Sequence, residues 1–467
     1  MKITMKAISH QIFLTLVLTL PGIWPGGETL LGAEDRLASA SERERPAALV
    51  PSALKTQESF SPSLERVAGT VQLDDLVAEA LRDNRDIRAA QKKYEASIDR
   101  RSVASSLPDP RLTLASVNAG NPIPGSTLGS QDMSQLGFEV MQDLPAFGKL
   151  QLAGKMAQKE ADAGWQAYRE VQLQVASQVK QAFYRWRFVV QALEVISRND
   201  ELLQKFEKIA EARYSVGKGI QQDVLRAQVE ISALVKKRVE LEREQGSIVA
   251  KLNSLLNRPP ESALGNPGDY PKATLPESID ELYQSARVHS PLIGQSQAQI
   301  EKNTYAMELA RKDYYPDFSV GGGWFSRAGL PSVWTARVDV RLPVYFWRKQ
   351  RYAVRESAQM LGESQREYES AAQTLNFRVK DDYLMAKASE QLLDLYSKAI
   401  IPQATLALDS SMAGYQVGNL DFDSLLTNFL NVLEYEMNYY EEFANFHQAL
   451  ARIEESTGES TGRRLTN

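Results

Sequence analysis

Residues 214–225 read Tyr214-Ser215-Val216-Gly217-Lys218-Gly219-Ile220-Gln221-Gln222-Asp223-Val224-Leu225, and residues 415–426 read Tyr415-Gln416-Val417-Gly418-Asn419-Leu420-Asp421-Phe422-Asp423-Ser424-Leu425-Leu426. Each stretch closes one apolar periodic run with an aromatic, a valine and a glycine, and a leucine opens the next run. Glycine tolerates the positive φ that ends a helix, so both read as helix reversals. Working outward, further landmarks recur in the same order. Leu73-Asp74-Asp75-Leu76 returns as Ile279-Asp280-Glu281-Leu282, Leu107-Pro108-Asp109-Pro110 as Tyr315-Pro316-Asp317-Phe318, and Asp143-Leu144-Pro145 as Arg341-Leu342-Pro343. A repeat of about 200 residues lies well beyond the 20 to 50 of solenoid units. It marks a tandem duplication of one large unit, spanning 70–262 and 263–458, with 459–467 as a short tail.

The runs flanking the turns have heptad spacing. In the first copy they hold Trp165, Tyr168, Val175, Val179, Ala182, Trp186, Val189, Leu193, Ile196, Leu203, Ala210 and Tyr214, then Val224, Ala227, Ile231, Leu234, Leu241, Ile248, Leu252 and Leu255. A 3.5-residue period packs helices side by side with a left-handed supercoil. Each copy therefore carries one long antiparallel helical hairpin. Pro145 and Pro343 are expected in the first turns of the longer helices, and a helix from Pro145 to near Ala212 would be about 100 Å long. The first hairpin stops at Pro259-Pro260, the last helix runs towards Gly458, and Pro402 is expected to kink the longer helix of the second copy.

Between Pro110 and Pro145, and between Pro316 and Pro343, the period changes to strict alternation. Leu136, Phe138 and Val140 share one face; Phe318, Val320, Gly322 and Trp324 another; Trp334, Ala336, Val338, Val340 and Leu342 a third, opposite Thr335, Arg337, Asp339 and Arg341. Leu112 and Leu114 open the weakest of the four strands. Such alternation fits a membrane β-barrel, apolar to lipid and polar to an aqueous lumen; a half-buried soluble sheet alternates the same way. Four strands cannot close a barrel, and an open edge in lipid leaves backbone groups unpaired. Three copies would supply twelve strands, an even number within the outer-membrane range.

Composition narrows the function classes. The 54 Lys+Arg against 59 Asp+Glu give a net charge of -5, so no basic surface for nucleic acid is implied. Lys2 and Lys6, an apolar stretch from Ile12 to Leu20, and the small residues of Leu31-Gly32-Ala33 read as a secretory signal peptide over 1–33. A mitochondrial presequence would want more Arg. Residues 34–69 read as an extended leader with little to bury. There is no cysteine, which excludes disulfides, thiolate metal sites and a lipid-modified cysteine. His10 lies in the signal segment, and His289 and His447 are far apart; His447 continues a heptad seam and reads as a packed residue. Gly321-Gly322-Gly323 lacks the Lys-Ser/Thr of a phosphate loop. No Ser-His-Asp or paired-carboxylate pattern stands out, so neither an enzyme nor a cofactor is expected.

With these residues in hand, the chain from about Thr70 to Gly458 resembles the trimeric outer-membrane efflux factors of the TolC type. The segments that carry the resemblance are 214–225, Ile400-Ile401-Pro402-Gln403-Ala404, 415–420 and Leu426. It implies a mainly α protein with a membrane β-barrel: a trimeric twelve-stranded barrel, four strands per chain, continued by a long α-helical barrel in the periplasm. It also implies a passive outer-membrane channel in a tripartite efflux system, partnered by a periplasmic membrane-fusion adaptor and an inner-membrane pump such as a resistance-nodulation-division transporter. The alternatives are a type I protein-secretion exit duct and a periplasmic coiled-coil scaffold without a pore. Leu107-Pro108-Asp109-Pro110-Arg111-Leu112 and Leu144-Pro145-Ala146-Phe147-Gly148-Lys149-Leu150 look like the branch that exports heavy-metal ions.

By the same resemblance the adaptor meets the tip turns, here Tyr214, Val216, Gly217 and Lys218 in the first copy and Val417, Gly418, Asn419 and Leu420 in the second. A polar contact between the turns closes the entrance in the family. Asp223 and Tyr415 match two of its positions, and Leu420 stands where the family has arginine, which implies a weaker or different network. The family's entrance aspartates would fall at Ser424 and Thr427, with Asp421 and Asp423 nearby. Asp223 alternatively serves only to favour a helix start.

Overall fold

The computed structural model describes residues 69–268, 273–275 and 278–459. The signal peptide, nearly all of the leader and most of the C-terminal tail lie outside the described residues.

In chain order the elements of the first copy are β1 (Thr70–Val71), α1 (Leu73–Asp83), α2 (Arg85–Ser105), β2 (Arg111–Val117), β3 (Gln135–Leu144), α3 (Lys149–Ser215) and α4 (Gln221–Leu255). The second copy repeats that order: β4 (Asn266–Pro267), α5 (Ile279–His289), α6 (Pro291–Lys312), β5 (Asp317–Ser326), β6 (Val333–Arg341), α7 (Gln350–Leu395), a π turn (Tyr396–Ile400), α8 (Ile401–Val417) and α9 (Phe422–Thr457). The two-residue β1 and β4 pair in parallel. Asn84, between α1 and α2, caps α2 through Asp86 N (2.9 Å) and Ile87 N (3.2 Å), and donates to Leu255 O at the end of α4 (2.9 Å).

Two expectations about helix boundaries are corrected. Pro145 and Pro343 stand ahead of their helices, which begin at Lys149 behind Gly148 in the left-handed region (φ 87°) and at Gln350 behind Lys349. The chain turns out of the sheet before it coils. The helix α3 still has 67 residues without interruption, about 100 Å at 1.5 Å per residue. Its counterpart is broken just before Pro402 by the π turn. Proline has no N–H and its ring crowds the carbonyl four residues back, so the i→i−4 ladder widens there.

The heptad seam of α3 is buried through Val175, Val179, Ala182, Trp186, Val189, Ile196, Leu203 and Ala210, and opens at its ends, where Trp165 and Tyr214 are nearly half exposed. Trp165 lies between Tyr94 (5.3 Å) and Tyr168 (5.6 Å). The main core joins α1, α3, α4, α8 and α9, and a second cluster joins α5, α7 and the C-terminal half of α9. The last helix thus serves both cores, so the two copies interleave. Lys180 pairs with Glu454, and Arg185 bridges Glu244 (2.6 Å) and Glu441 (3.1 Å). His447 is buried, stacked on Tyr184 at 4.3 Å and flanked by Phe443 and Phe446.

The four long strands form one antiparallel sheet in the order β2-β3-β5-β6. Its register sorts most of the side chains into an apolar and a polar face. Phe138 opposes both Leu114 and Trp324, Trp324 opposes Trp334, and Val320 opposes Val338, so most of the apolar residues of the four strands share one face. Leu112, Leu114, Trp334 and Val338 on it are more than 60 % exposed. The other face carries Arg111, Glu139, Asp143, Ser319, Arg337, Asp339 and Arg341. Arg111 donates to Asp143 (2.8 Å), which also accepts from Ser319 Oγ (2.6 Å), and Arg337 stands 3.5 Å from Glu139. Phe325 is the large apolar side chain on this polar face; its ring covers Gly137 and Gly323, where a Cβ would collide with it. Among the described residues no helix is long and apolar enough to cross a membrane.

Candidate functional site: the paired tip turns

The two helix reversals close in the same way. After α3, Gly217 (φ 71°) donates to Tyr214 O (3.0 Å) and Lys218 N to Arg213 O (2.9 Å); after α8, Gly418 (φ 82°) donates to Tyr415 O (3.1 Å) and Asn419 N to Gly414 O (2.9 Å). Both are glycine-terminated helix ends in which carbonyls of the last turn are taken up by the reversing backbone. The repeat is therefore exact in backbone chemistry, with Arg213 in one copy where Gly414 stands in the other.

The side chains differ between the turns. Tyr415 is 2 % exposed and packs edge-on against Phe422 at 5.5 Å, whereas Tyr214 is 49 % exposed. The Tyr415 hydroxyl donates to Asp223 Oδ2 at 3.4 Å. Burial, followed by the negative charge of Asp223, pushes the Tyr415 phenol up to about 12. Burial also raises the Asp223 carboxyl above the ordinary aspartate value, against the lowering effect of the Tyr415 hydrogen bond and of Arg226 and Arg213. The residue that caps α4 is Ile220, so Asp223 sits in the first turn with its side chain turned to Tyr415.

Arginine enters this site from positions the sequence had not singled out. The Arg213 guanidinium lies over the Tyr415 ring (4.6 Å to the centroid), and it donates to Tyr415 O, to Gln416 O (3.4 Å) and to Lys218 O (3.1 Å). One side chain therefore ties both turns together. Arg226 pairs with Asp423 across the same gap. Leu420, at the position expected to hold arginine, is partly buried and packs near Gly414. The only signal for Arg213 was its place in the last turn of a helix, where a cation complements the exposed carbonyls.

The remaining candidates separate. Asp421 caps α9, accepting from Ser424 N at 2.8 Å, and hydrogen bonds from Ser424 hold its carboxyl below the ordinary value. Val216 and Val417 are 66 % and 72 % exposed, and Gly217, Lys218, Gly418 and Asn419 are exposed beside them. The tip thus presents apolar side chains around a polar knot. Among the described residues no cluster of His, Asp and Glu has the arrangement of a metal site.

The comparisons with known proteins fit this geometry. The family model described as outer membrane efflux protein matches residues 76–258 and 282–459, one stretch in each copy. The probable outer membrane lipoprotein SilC of Salmonella typhimurium is 23% identical over 324 residues, 64% of this chain and 67% of that protein. The cobalt-zinc-cadmium resistance protein CzcC of Cupriavidus metallidurans is 21% identical over 410 residues, 86% of this chain and 94% of that protein. The solved structure of CusC, described in terms of folding and transmembrane channel formation, has a TM-score of 0.72 at 16% identity and covers 90% of this chain and 99% of its own.

Proposed function

The chain belongs to the outer membrane efflux protein family, and from that premise we propose that it is a trimeric outer-membrane duct, passive in itself and fed by an inner-membrane pump through a periplasmic adaptor. The observation that carries this reading is the sheet. Its four strands expose a broad apolar face, keep a charged face behind it, and leave the outer edges of β2 and β6 without a strand partner among the described residues. In lipid such edges must be paired. Three copies would close a twelve-stranded barrel, within the range of outer-membrane barrels.

In this reading the long helices continue the duct into the periplasm, and the tip turns are its entrance. The knot of Arg213, Tyr415 and Asp223 holds the two turns of one chain together; opening separates them, a rigid-body motion of helical hairpins. Exposed Val216 and Val417, with Lys218 and Asn419, form the surface for the adaptor. The names of SilC and CzcC, and the segments 107–112 and 144–150, favour a metal ion as the cargo, which passes through a wide lumen as substrate.

The test has three parts. Outer membranes extracted in mild detergent should yield the mass of three chains, and the purified protein should conduct in a planar bilayer. A strain lacking it should lose tolerance to cobalt, zinc or cadmium. Release from the membrane by salt alone, as a monomer without conductance, would defeat the proposal.

A further inference from the structure

The duplication makes one contact inside the chain a template for a contact between chains. Within the two β-hairpins the pairing is the same residue for residue. Arg111 opposes Met141 as Ser319 opposes Asp339, Leu112 opposes Val140 as Val320 opposes Val338, and Leu114 opposes Phe138 as Gly322 opposes Ala336. Hence β2 corresponds to β5, and β3 to β6, at a fixed register.

The chain also contains the junction from the first copy to the second. There β3 pairs with β5, with Val140 opposite Gly322 and Met141 opposite Gly321. Below the sheet the same junction is held by Asp317, which accepts from Ala146 N (2.8 Å) and Lys149 Nζ (2.9 Å), and by α3 against α6, with Lys159 on Glu301 (2.7 Å) and Lys302 on Glu160 (3.1 Å). The return junction, from the second copy to a first copy, is not formed among the described residues of the chain. Its two sides are nevertheless present: β6 and β2 are the sheet edges, α7 exposes Tyr352 and Met360, and α2 exposes Ile98 and Val103.

We infer that β6 of one chain joins β2 of the next copy of this chain in the register of the internal junction, with Val338 opposite Leu114 and Asp339 opposite Thr113. Val338 takes the place of Val140 and Leu114 that of Gly322; Asp339 takes the place of Met141 and Thr113 that of Gly321. The pairing keeps the faces sorted, since Val338 and Leu114 are both on the apolar face and Asp339 and Thr113 both on the polar one, and a slip of one residue would reverse one side. It also sets Asp109 of that next copy, the counterpart of Asp317, beside the start of the first chain's α7, where Arg348 and Lys349 stand. The copies are unequal here: the segment from Pro343 to α7 is longer than that from Pro145 to α3 and exposes Tyr345, Phe346 and Trp347.

The inference rests on the trimeric duct proposed above and fixes the residues of its seam. The natural chain has no cysteine, so disulfides report the seam without background. Directly opposed cysteines in an antiparallel pair are within disulfide reach, whereas a partner two residues along is too far. Val338→Cys with Leu114→Cys, and separately Asp339→Cys with Thr113→Cys, should oxidise in the membrane to a covalent trimer that reduction dissolves. Gln142→Cys with Val320→Cys, opposed across the internal junction, should close within one chain and leave its mass unchanged. A protein that is trimeric by mass, but links through Val338→Cys with Leu112→Cys or Ser116→Cys, would overturn the register and leave the trimer standing. Failure of both direct pairs in intact trimers would overturn it too. A monomer in membrane would remove the seam and the trimeric duct together.

Discussion

Replacing Arg213 by alanine removes one side chain that contacts three carbonyls and one ring. Its bond to Tyr415 O and its guanidinium over the Tyr415 ring, 4.6 Å from the centre, cross between the turns; the approach to Gln416 O at 3.4 Å is long and adds little, and the bond to Lys218 O stays within the first turn. The bond that crosses between the turns contributes about 1 kcal/mol net in a half-exposed setting, and the cation–π contact about 0.5 to 1 kcal/mol. The total, about 1.5 to 2 kcal/mol per chain, shifts an open–closed ratio about ten- to thirty-fold. Single-channel recording in a planar bilayer reads this as a rise in open probability for Arg213→Ala. Arg213→Lys keeps the charge but cannot fork to both turns, so it should fall between wild type and alanine. Intact Arg213→Ala trimers with the conductance and open probability of the wild type would refute the assignment of Arg213 as the tie.

The same knot predicts a pH dependence: closure raises the Asp223 pKa above 3.8, so the closed tip is favoured below that value and loses this contribution as pH rises through the raised pKa. Open probability should therefore fall on acidification from neutral pH, and Asp223→Asn should flatten the response. Tyr415 works at the other end, its contribution being lost as pH rises from 10 through about 12, a loss Tyr415→Phe should abolish. On the sheet, Val338→Arg should impair insertion by about 2 to 4 kcal/mol, while Asp339→Arg on the hydrated face should insert normally; membrane fractionation compares them. Gly137→Ala should prevent barrel assembly, because a Cβ there lies 2.0 Å from Trp324 O and 2.6 Å from Phe325 Cα, and heat-stable oligomers on a gel report the loss. Phe429→Ala, deleting a fully buried ring that meets Phe206 edge-on at 5.6 Å, should lower stability by about 3 to 5 kcal/mol in denaturant titration.

The fold was legible because its signals are periodic. Heptads marked α3, α4 and α9, and alternation placed Leu136, Phe138, Val140, Trp334 and Val338 on one face, as the register later did. What failed was local. Pro145 and Pro343 are favourable in a first helical turn, yet each lies in the segment that carries the chain from sheet to helix, and sequence does not reveal where such a turn ends. The tip was half legible: glycines and the Asp223–Tyr415 match pointed to the turns, but Arg213 was missed because a single cation at a helix end carries no period. Its importance comes from the neighbouring turn, about 200 residues away, and only the packing of one copy against the other shows that.

The inequality of Tyr214 and Tyr415 has a mechanical consequence. A ring of three chains would have six turns at its rim but only three of these clasps, each joining a pair of turns from one chain. The rim would then behave as three jaws. Its stiffness would alternate around the circle, high across each clasp and low across the gaps between them. In the proposed trimer, dilation would begin at those gaps, and an adaptor wedged there would widen the mouth stepwise before any clasp is broken.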